Sequence, residues 1–72
     1  MFKEYHPMAE YLSDRGTTET LFVTDSCLNL ETAKRAHKVW KDGYKLNLTK
    51  AWIDVFVGGN LVETITVDPK TI

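Results

Sequence analysis

The fold is decided by residues 46–67, LNLTKAWIDVFVGGNLVETITV, which predict two strands joined by a tight turn. Apolar and polar side chains alternate along residues 46–57, as expected for a strand with one buried face. Gly58-Gly59-Asn60 is a turn signal, and residues 61–67 form the return strand. The hairpin therefore offers one apolar face against which a helix can pack.

The register of this hairpin decides which side chains are buried. A three-residue loop pairs Val57 with Leu61 and Ile53 with Ile65, which gives one apolar face interrupted only by Glu63. A two-residue loop would move Ile65 to the opposite face. We therefore favour the three-residue loop.

The clearest single element is a helix over residues 30–42. Asn29 is a suitable N-cap, Glu31 suits the positive end of the helix dipole, and Gly43 is a natural residue to follow the helix. Side chains at helical spacing form one stripe, consisting of Leu30, Ala33, His37, Trp40 and Tyr44. We expect this stripe to pack on the apolar face of the hairpin.

The N-terminal part of the chain predicts a short helix followed by a strand. Pro7 suits the first turn of a helix and Gly16 suits its end, which predicts a helix over residues 7–15. The apolar stripe of that helix would consist of Met8, Tyr11 and Leu12. Residues 17–24 are rich in β-branched and aromatic side chains, which predicts a strand.

These elements predict one α+β domain over residues 1–72, built in two layers. Residues 1–16 form an N-terminal arm and helix, residues 17–67 a β-α-β-β core, and residues 68–72 a tail. The core is expected to hold a three-stranded antiparallel sheet of order 1-3-2, packed on helix 30–42. In that order the return strand lies in the middle of the sheet.

Composition limits the class of protein. The 72 residues carry a net charge of −1, with 43% hydrophobic and 26% charged residues, which is ordinary for a folded domain. No apolar run approaches the ~18 residues of a membrane-spanning helix, and no secretory signal opens the chain. The one cysteine cannot form an internal disulfide. We expect a cytoplasmic protein.

Trp52, Phe56 and Val62 fall on the second face of the hairpin, which a two-layer domain leaves toward water. One interpretation is that the N-terminal arm and helix cover these side chains. The other is that they bind a partner or a second copy of the chain, since tryptophan is favoured at binding hot spots. Both interpretations hold together if the cover is partial.

A basic stripe, defined by Lys34, Arg35, Lys38 and Lys41, follows the exposed side of helix 30–42. Such a stripe suits an acidic protein surface or a nucleic-acid backbone. The simpler interpretation is a solvated helix face, with Glu31 pairing locally with the nearest cations. The sequence pI near 6.0 argues against a dedicated nucleic-acid binder.

Cys27 is the only cysteine and so the only candidate thiol nucleophile. It lies just before the N-terminus of the helix, where the helix dipole favours a thiolate. His6 and His37 are the only imidazoles that could activate it, and nothing in their spacing supports such a pair. We favour Cys27 as a small half-buried apolar residue and His37 as a core or boundary residue with one satisfied nitrogen. No cofactor motif and no metal-ligand spacing is present.

Part of the chain resembles a known class of protein. Helix 30–42, followed by Leu48-Thr49-Lys50-Ala51-Trp52-Ile53-Asp54 and Val62-Glu63-Thr64-Ile65, is similar to small phage antitoxins that block a host endoribonuclease, and more broadly to compact phage-type inhibitors. The likeness covers about residues 30–67 and carries over no functional residue. It implies a stand-alone domain that occupies a surface of a larger protein.

The sequence therefore predicts a non-enzymatic protein-binding module, an inhibitor or regulator of a larger protein that handles nucleic acid or takes part in phage-host defence. Its contact residues would be Trp52, Phe56 and Val62, or the basic stripe. A nucleic-acid binder using the basic stripe is the alternative, and a Cys27-based enzyme is a further one. A homodimer is compatible with the first hypothesis.

Overall fold

The computed structural model describes residues 2–45 and 47–72. Met1 and Leu46, the first residues of the predicted N-terminal arm and of predicted strand 46–57, lie outside the described residues. Along the chain follow β1 (Lys3–Leu12), β2 (Thr18–Phe22), α1 (Leu30–Tyr44), β3 (Leu48–Val57), β4 (Asn60–Val67) and a 3₁₀ turn (Pro69–Thr71).

The described strands form one antiparallel sheet in the order β2-β1-β3-β4. Two hairpins, β1-β2 and β3-β4, lie side by side, and α1 connects them across one face of the sheet. The result is a small α+β domain with a helical layer on one side. The prediction of a three-stranded sheet of order 1-3-2 is wrong. The sheet has a fourth strand, β1, which lies between β2 and β3.

The helix predicted over residues 7–15 is also wrong, because that segment belongs to β1. Its side chains alternate with period two, so Pro7 and Ala9 face α1 while Met8 faces the other way. Pro7 is tolerated in this central strand because β2 ends opposite Met8, where no N–H is needed to continue the ladder. The carbonyl of Pro7 accepts a hydrogen bond from the N–H of Val23, at 3.0 Å.

Strand β4 lies at the edge of the sheet, not in the middle as predicted. Placing β1 beside β3 gives both strands a neighbour on each side, and they are the strands that α1 covers. The buried side chains of the sheet are accordingly those of the two central strands, with Ile53 fully buried and Val55 nearly so. β4 is left with most of its side chains exposed.

Away from the turn, the register of the β3-β4 hairpin agrees with the prediction, because Ile53 pairs with Ile65. The predicted three-residue loop is wrong, because the turn consists of Gly58 and Gly59 alone, with φ of 58° and 82°. Both angles lie in the left-handed region that favours glycine. A β-bulge at Val62 then adds one residue to β4 and restores the register that the shorter turn would have shifted.

α1 contains the predicted helix 30–42 and extends to Tyr44. The Asn29 side chain accepts a hydrogen bond from the N–H of Thr32 at 2.8 Å, as a helix N-cap does. Gly43 lies inside the last turn, and Lys45, with φ of 51°, takes the left-handed position that ends the helix. Ala33 of α1 packs with Ile53 and Cys27 in the core between helix and sheet.

The predicted tail, residues 68–72, is held against the helix. The Asp68 side chain caps the 3₁₀ turn by accepting from the N–H of Lys70 at 2.9 Å. The Lys41 ammonium donates to the main-chain oxygens of Pro69 and Ile72, at 3.3 and 3.0 Å. These contacts join the last turn of α1 to the end of the chain.

Candidate functional site: the open face of the sheet

The face of the sheet opposite α1 is here called the open face. It consists of the strand side chains that point away from the helix, and they form rows across the sheet because paired residues share a face. The central row contains Phe22, Met8, Trp52 and Thr66. The next row toward the hairpin turn contains His6, Asp54 and Thr64, and the one beyond it Glu4, Phe56 and Leu61.

The central row is apolar and only partly buried. Met8 is 8% exposed because it lies between Phe22 and Trp52, its neighbours on the flanking strands. Trp52 is half-buried, and Phe22 at the sheet edge is 69% exposed. This row places a large apolar surface in the part of the domain farthest from the helix.

Phe56 extends the apolar surface toward the β3-β4 turn through a contact with His6. The two ring centroids lie 4.6 Å apart with an interplanar angle of 62°, an edge-to-face arrangement. Val62, the residue of the β-bulge, is 57% exposed next to this contact. The structure therefore brings Trp52 and Phe56 to one face, as predicted, and leaves Val62 at its margin.

Carboxylates alternate with the apolar residues of the open face on the two central strands. Glu4, Glu10 and Asp54 belong to its rows, and Lys50, opposite Glu10, is the one cation among the described residues of those rows. The Asp54 carboxylate accepts a hydrogen bond from the hydroxyl of Thr64 at 3.1 Å, which fixes its position on the sheet. In these rows carboxylates therefore outnumber the one lysine, and Asp54 lies between Trp52 and Phe56.

The N-terminal segment does not cover Trp52 and Phe56, which corrects one of the two interpretations of this face. Residues 3–12 form a strand within the sheet, so Tyr5 packs toward the α1 side and Met8 becomes part of the open face itself. A groove of about 640 Å³ lies beside Trp52, between Thr64, Thr66 and Pro69. α1 lies on the other side of the sheet from Trp52, Thr64 and Thr66, and it contacts Pro69 at the end of the chain through Lys41.

The basic stripe is smaller than predicted. Lys34 and Arg35 are exposed on α1, and Lys38 forms an ion pair with Asp42 at 3.4 Å on the same helix. Lys41 is directed at the main-chain oxygens of the C-terminal residues, so it has a structural role. The open face and the reduced stripe lie on opposite sides of the molecule.

Cys27 is an apolar core residue as expected, but it is buried and not half-buried, and it forms an isolated β-bridge with Tyr5. Its Sγ lies 3.6 Å from the carbonyl oxygen of Asp25, to which the thiol donates. Burial raises the pKa of the Cys27 thiol, which favours the protonated form over the nucleophilic thiolate. The structure therefore provides no activation of this residue.

His37 is a core residue with one satisfied nitrogen, which confirms the interpretation from the helical stripe. Its Nε2–H donates to the carbonyl of Met8 at 2.8 Å, whereas Nδ1 has no hydrogen-bond partner within the described residues. Burial lowers the pKa of His37, and the backbone of Met8 and Trp52 opposes that shift. The imidazole lies directly beneath the central row of the open face.

Sequence reasoning missed Met8, Phe22 and His6 as members of this surface. The sequence does contain a strand signal here. Tyr5, Pro7 and Ala9 are spaced two residues apart, which places them on one face of a strand and His6 and Met8 on the other. The helical spacing of Met8, Tyr11 and Leu12 competes with that signal over the same segment. Phe22 belongs to a strand that was predicted, but its position beside Met8 depends on the pairing of β1 with β2.

Comparison of the chain with protein-family models, with curated proteins and with solved structures gave no match. Within residues 2–45 and 47–72, no group of three or more histidine, cysteine or acidic residues is placed to hold a metal ion. In the same part of the chain, no helix has the length and hydrophobicity needed to cross a membrane. The fold and the open face thus define a small α+β domain whose exposed sheet surface combines apolar side chains with carboxylates.

Proposed function

We propose that this protein is a non-enzymatic binding module that acts by occupying a surface of a larger protein. The observation that carries the proposal is the apolar row Phe22-Met8-Trp52 on the open face, which α1 does not cover. Aromatic side chains and methionine are enriched at the centres of protein interfaces. The open face is the contact surface in this proposal.

The charge of the open face favours a particular kind of partner. The carboxylates of Glu4, Glu10 and Asp54 repel a nucleic-acid backbone and attract a basic protein surface. Proteins that handle nucleic acid present such surfaces, so an inhibitor or regulator of one of them fits the chemistry of this face. The resemblance to phage-type inhibitors supports the same class, and a cytoplasmic location belongs to the proposal.

The alternative is nucleic-acid binding through the basic stripe. Its support is the exposure of Lys34 and Arg35 on α1, beside Lys38. It requires an affinity that falls with salt by about 0.9 log unit per log unit of salt for each duplex phosphate contacted. A filter-binding or anisotropy titration at two salt concentrations measures that slope, and salt-independent binding would remove the alternative.

The test of the proposed function compares two exposed aromatic residues on opposite sides of the molecule. Phe22 on the open face is 69% exposed, and Tyr44 on α1 is 66% exposed, so Phe22→Ala and Tyr44→Ala remove similar surfaces. We expect partner binding to fall at least about tenfold for Phe22→Ala and for Trp52→Ala, and to be unchanged for Tyr44→Ala. Thermal unfolding of each variant checks that the fold is intact.

Charge reversal separates the open face from the basic stripe. Glu10→Lys on the open face should weaken binding of a basic partner, and Lys34→Glu on α1 should not. If Phe22→Ala, Trp52→Ala and Glu10→Lys all leave partner binding unchanged in folded protein, the open face is not the contact surface and the proposal is wrong.

A further inference from the structure

β4 presents a free sheet edge that lacks the usual protection of edge strands. It spans Asn60–Val67, and Glu63 is its only ionisable residue. Natural edge strands are usually blunted by lysine, proline, shortness or a bulge, and here only the bulge at Val62 is present. From Glu63 to Val67 the edge is regular and is covered neither by proline nor by lysine.

The direction of the backbone groups in β4 follows from Pro7 in the central strand. Pro7 has no N–H and its carbonyl accepts on the β2 side, so the pair Pro7–Ile53 exchanges no hydrogen bonds. Ile53 therefore directs its N–H and C=O toward its β4 partner, Ile65. Because these directions alternate along a strand, Thr64 and Thr66 direct theirs away from the sheet.

We propose that a second copy of this chain pairs with this edge, antiparallel, about a twofold axis at Ile65. In that register Thr64 of each copy lies opposite Thr66 of the other, and the two exchange N–H to carbonyl hydrogen bonds. Glu63 of each copy lies opposite Val67 of the other. The product is one continuous sheet of two four-stranded halves, with a closed, isologous interface.

Charge complementarity selects this register. Glu63 shares the α1 side of the sheet with Val55 and forms no ion pair with any described residue of its own chain. Val67 lines a small cavity together with the basic residues Lys34, Arg35 and Lys38. Each Glu63 is therefore brought to the mouth of the basic cavity of the other copy, and this contact occurs twice in the dimer.

The two registers nearer the hairpin turn lack this contact. A twofold axis at Glu63 would place two carboxylates directly opposite each other, which destabilises strand pairing. An axis at Thr64 would place Glu63 opposite Ile65 and would involve the bulge at Val62. The axis at Ile65 uses only the regular part of the edge.

The same register joins the two hydrophobic cores. Ile65 is half-buried against the core of Cys27, Ala33 and Ile53. At the axis the two Ile65 residues form a pair without mutual hydrogen bonds, in which Cα atoms lie about 4.5 Å apart and the side chains touch. Each Ile65 then covers the exposed part of the other.

The first test uses proline at two equivalent edges. The N–H of Val23 points into the sheet, so alternation directs the N–H of Thr20 in β2 outward, as for Thr64 in β4. Thr64→Pro and Thr20→Pro thus change the same residue type on the same face, at opposite edges. Sedimentation equilibrium of the full chain should give twice 8.3 kDa at high concentration for wild type and Thr20→Pro. Thr64→Pro should raise the dimer dissociation constant at least about tenfold.

The second test reverses charges and does not depend on tolerance of proline. Glu63→Lys alone and Lys34→Glu alone should each weaken the dimer, and the double variant Glu63→Lys with Lys34→Glu should restore it. Both residues are exposed, so each single variant is expected to fold. A restored dissociation constant identifies the predicted cross-copy contact and its register.

A wild-type chain that stays at 8.3 kDa up to millimolar concentration would overturn the proposal. So would a dimer that Thr64→Pro leaves intact or that the double charge variant fails to restore. The proposal does not rest on the open face, so its failure leaves the proposed function standing, and Phe22→Ala leaves this dimer unchanged.

Discussion

His37 joins the helix to the sheet through one hydrogen bond, and its burial makes the stability of the fold depend on pH. In the folded protein burial lowers its pKa below the ordinary value of 6.5. The unfolded chain therefore binds a proton at pH values where the folded protein does not. The free energy of unfolding rises with pH wherever the unfolded state holds more protons, so His37 stabilises the fold above pH 6.5 and loses that contribution below it.

We expect the free energy of unfolding to fall as the pH is lowered from 6.5, with a contribution from His37 of up to about 1.4 kcal/mol per pH unit. Urea titrations at intervals between pH 7 and pH 5 measure this slope. His37→Gln removes the titrating group and should flatten the slope over the same range. Equal slopes for wild type and His37→Gln would contradict the assignment.

At the scale of elements, the β-bulge at Val62 corrects the register that the Gly58-Gly59 turn sets. Removing the bulge residue leaves a two-residue hairpin in which Phe56 still pairs with Leu61 and Val55 with Glu63. All inward side chains of β4 then keep their face. A residue lost from β3 has no such compensation, because β3 is paired on both sides.

Deletion of Val62 is therefore expected to give a folded protein with a loss of about 1 kcal/mol or less, since no inward side chain changes face. Deletion of Asp54, which lies in β3 next to the bulge, moves the side chains beyond it to the wrong face and should abolish cooperative unfolding. Circular dichroism during heating distinguishes the two. A deletion of Val62 that unfolds the chain would show that the bulge is required.

Some elements could be predicted from the sequence because their signals are local. Capping at Asn29 and one stripe of side chains determine α1, and alternation assigns Trp52 and Phe56 to one face. The segment around Met8 could not be assigned. The spacing of Met8, Tyr11 and Leu12 fits a helix, and proline is rare in central strands. Pairing with β3 decides its structure, and that pairing joins residues far apart in the sequence. The full extent of the open face depends on the same pairing.

For the whole molecule, the arrangement of the hairpins predicts an order of folding. The β3-β4 hairpin closes a short loop, whereas β1 pairs with β3 only after the chain between them is brought together. A Cβ at Gly59 meets no atom within 4 Å, so Gly59→Ala acts through the backbone strain of the turn alone. Ala9, 1% exposed in β1, reports on the long-range pairing.

We expect Gly59→Ala to slow refolding and Ala9→Gly mainly to accelerate unfolding, because the turn forms before the central pair does. Stopped-flow tryptophan fluorescence across a urea series gives both rate constants for each variant. The opposite result, with slow refolding in Ala9→Gly and unchanged refolding in Gly59→Ala, would place the pairing of β1 with β3 in the folding nucleus.

The position of β1 in the middle of the sheet has a consequence for a chain made from its N-terminus. Lys3–Leu12 leaves the site of synthesis early, yet its partner Leu48–Val57 follows only after the helix. During that interval the first hairpin exposes Met8, Phe22 and an unfilled strand edge. A nascent segment with exposed apolar side chains and an unpaired strand edge is prone to aggregate, so slowed translation before β3 should lower the yield of folded protein.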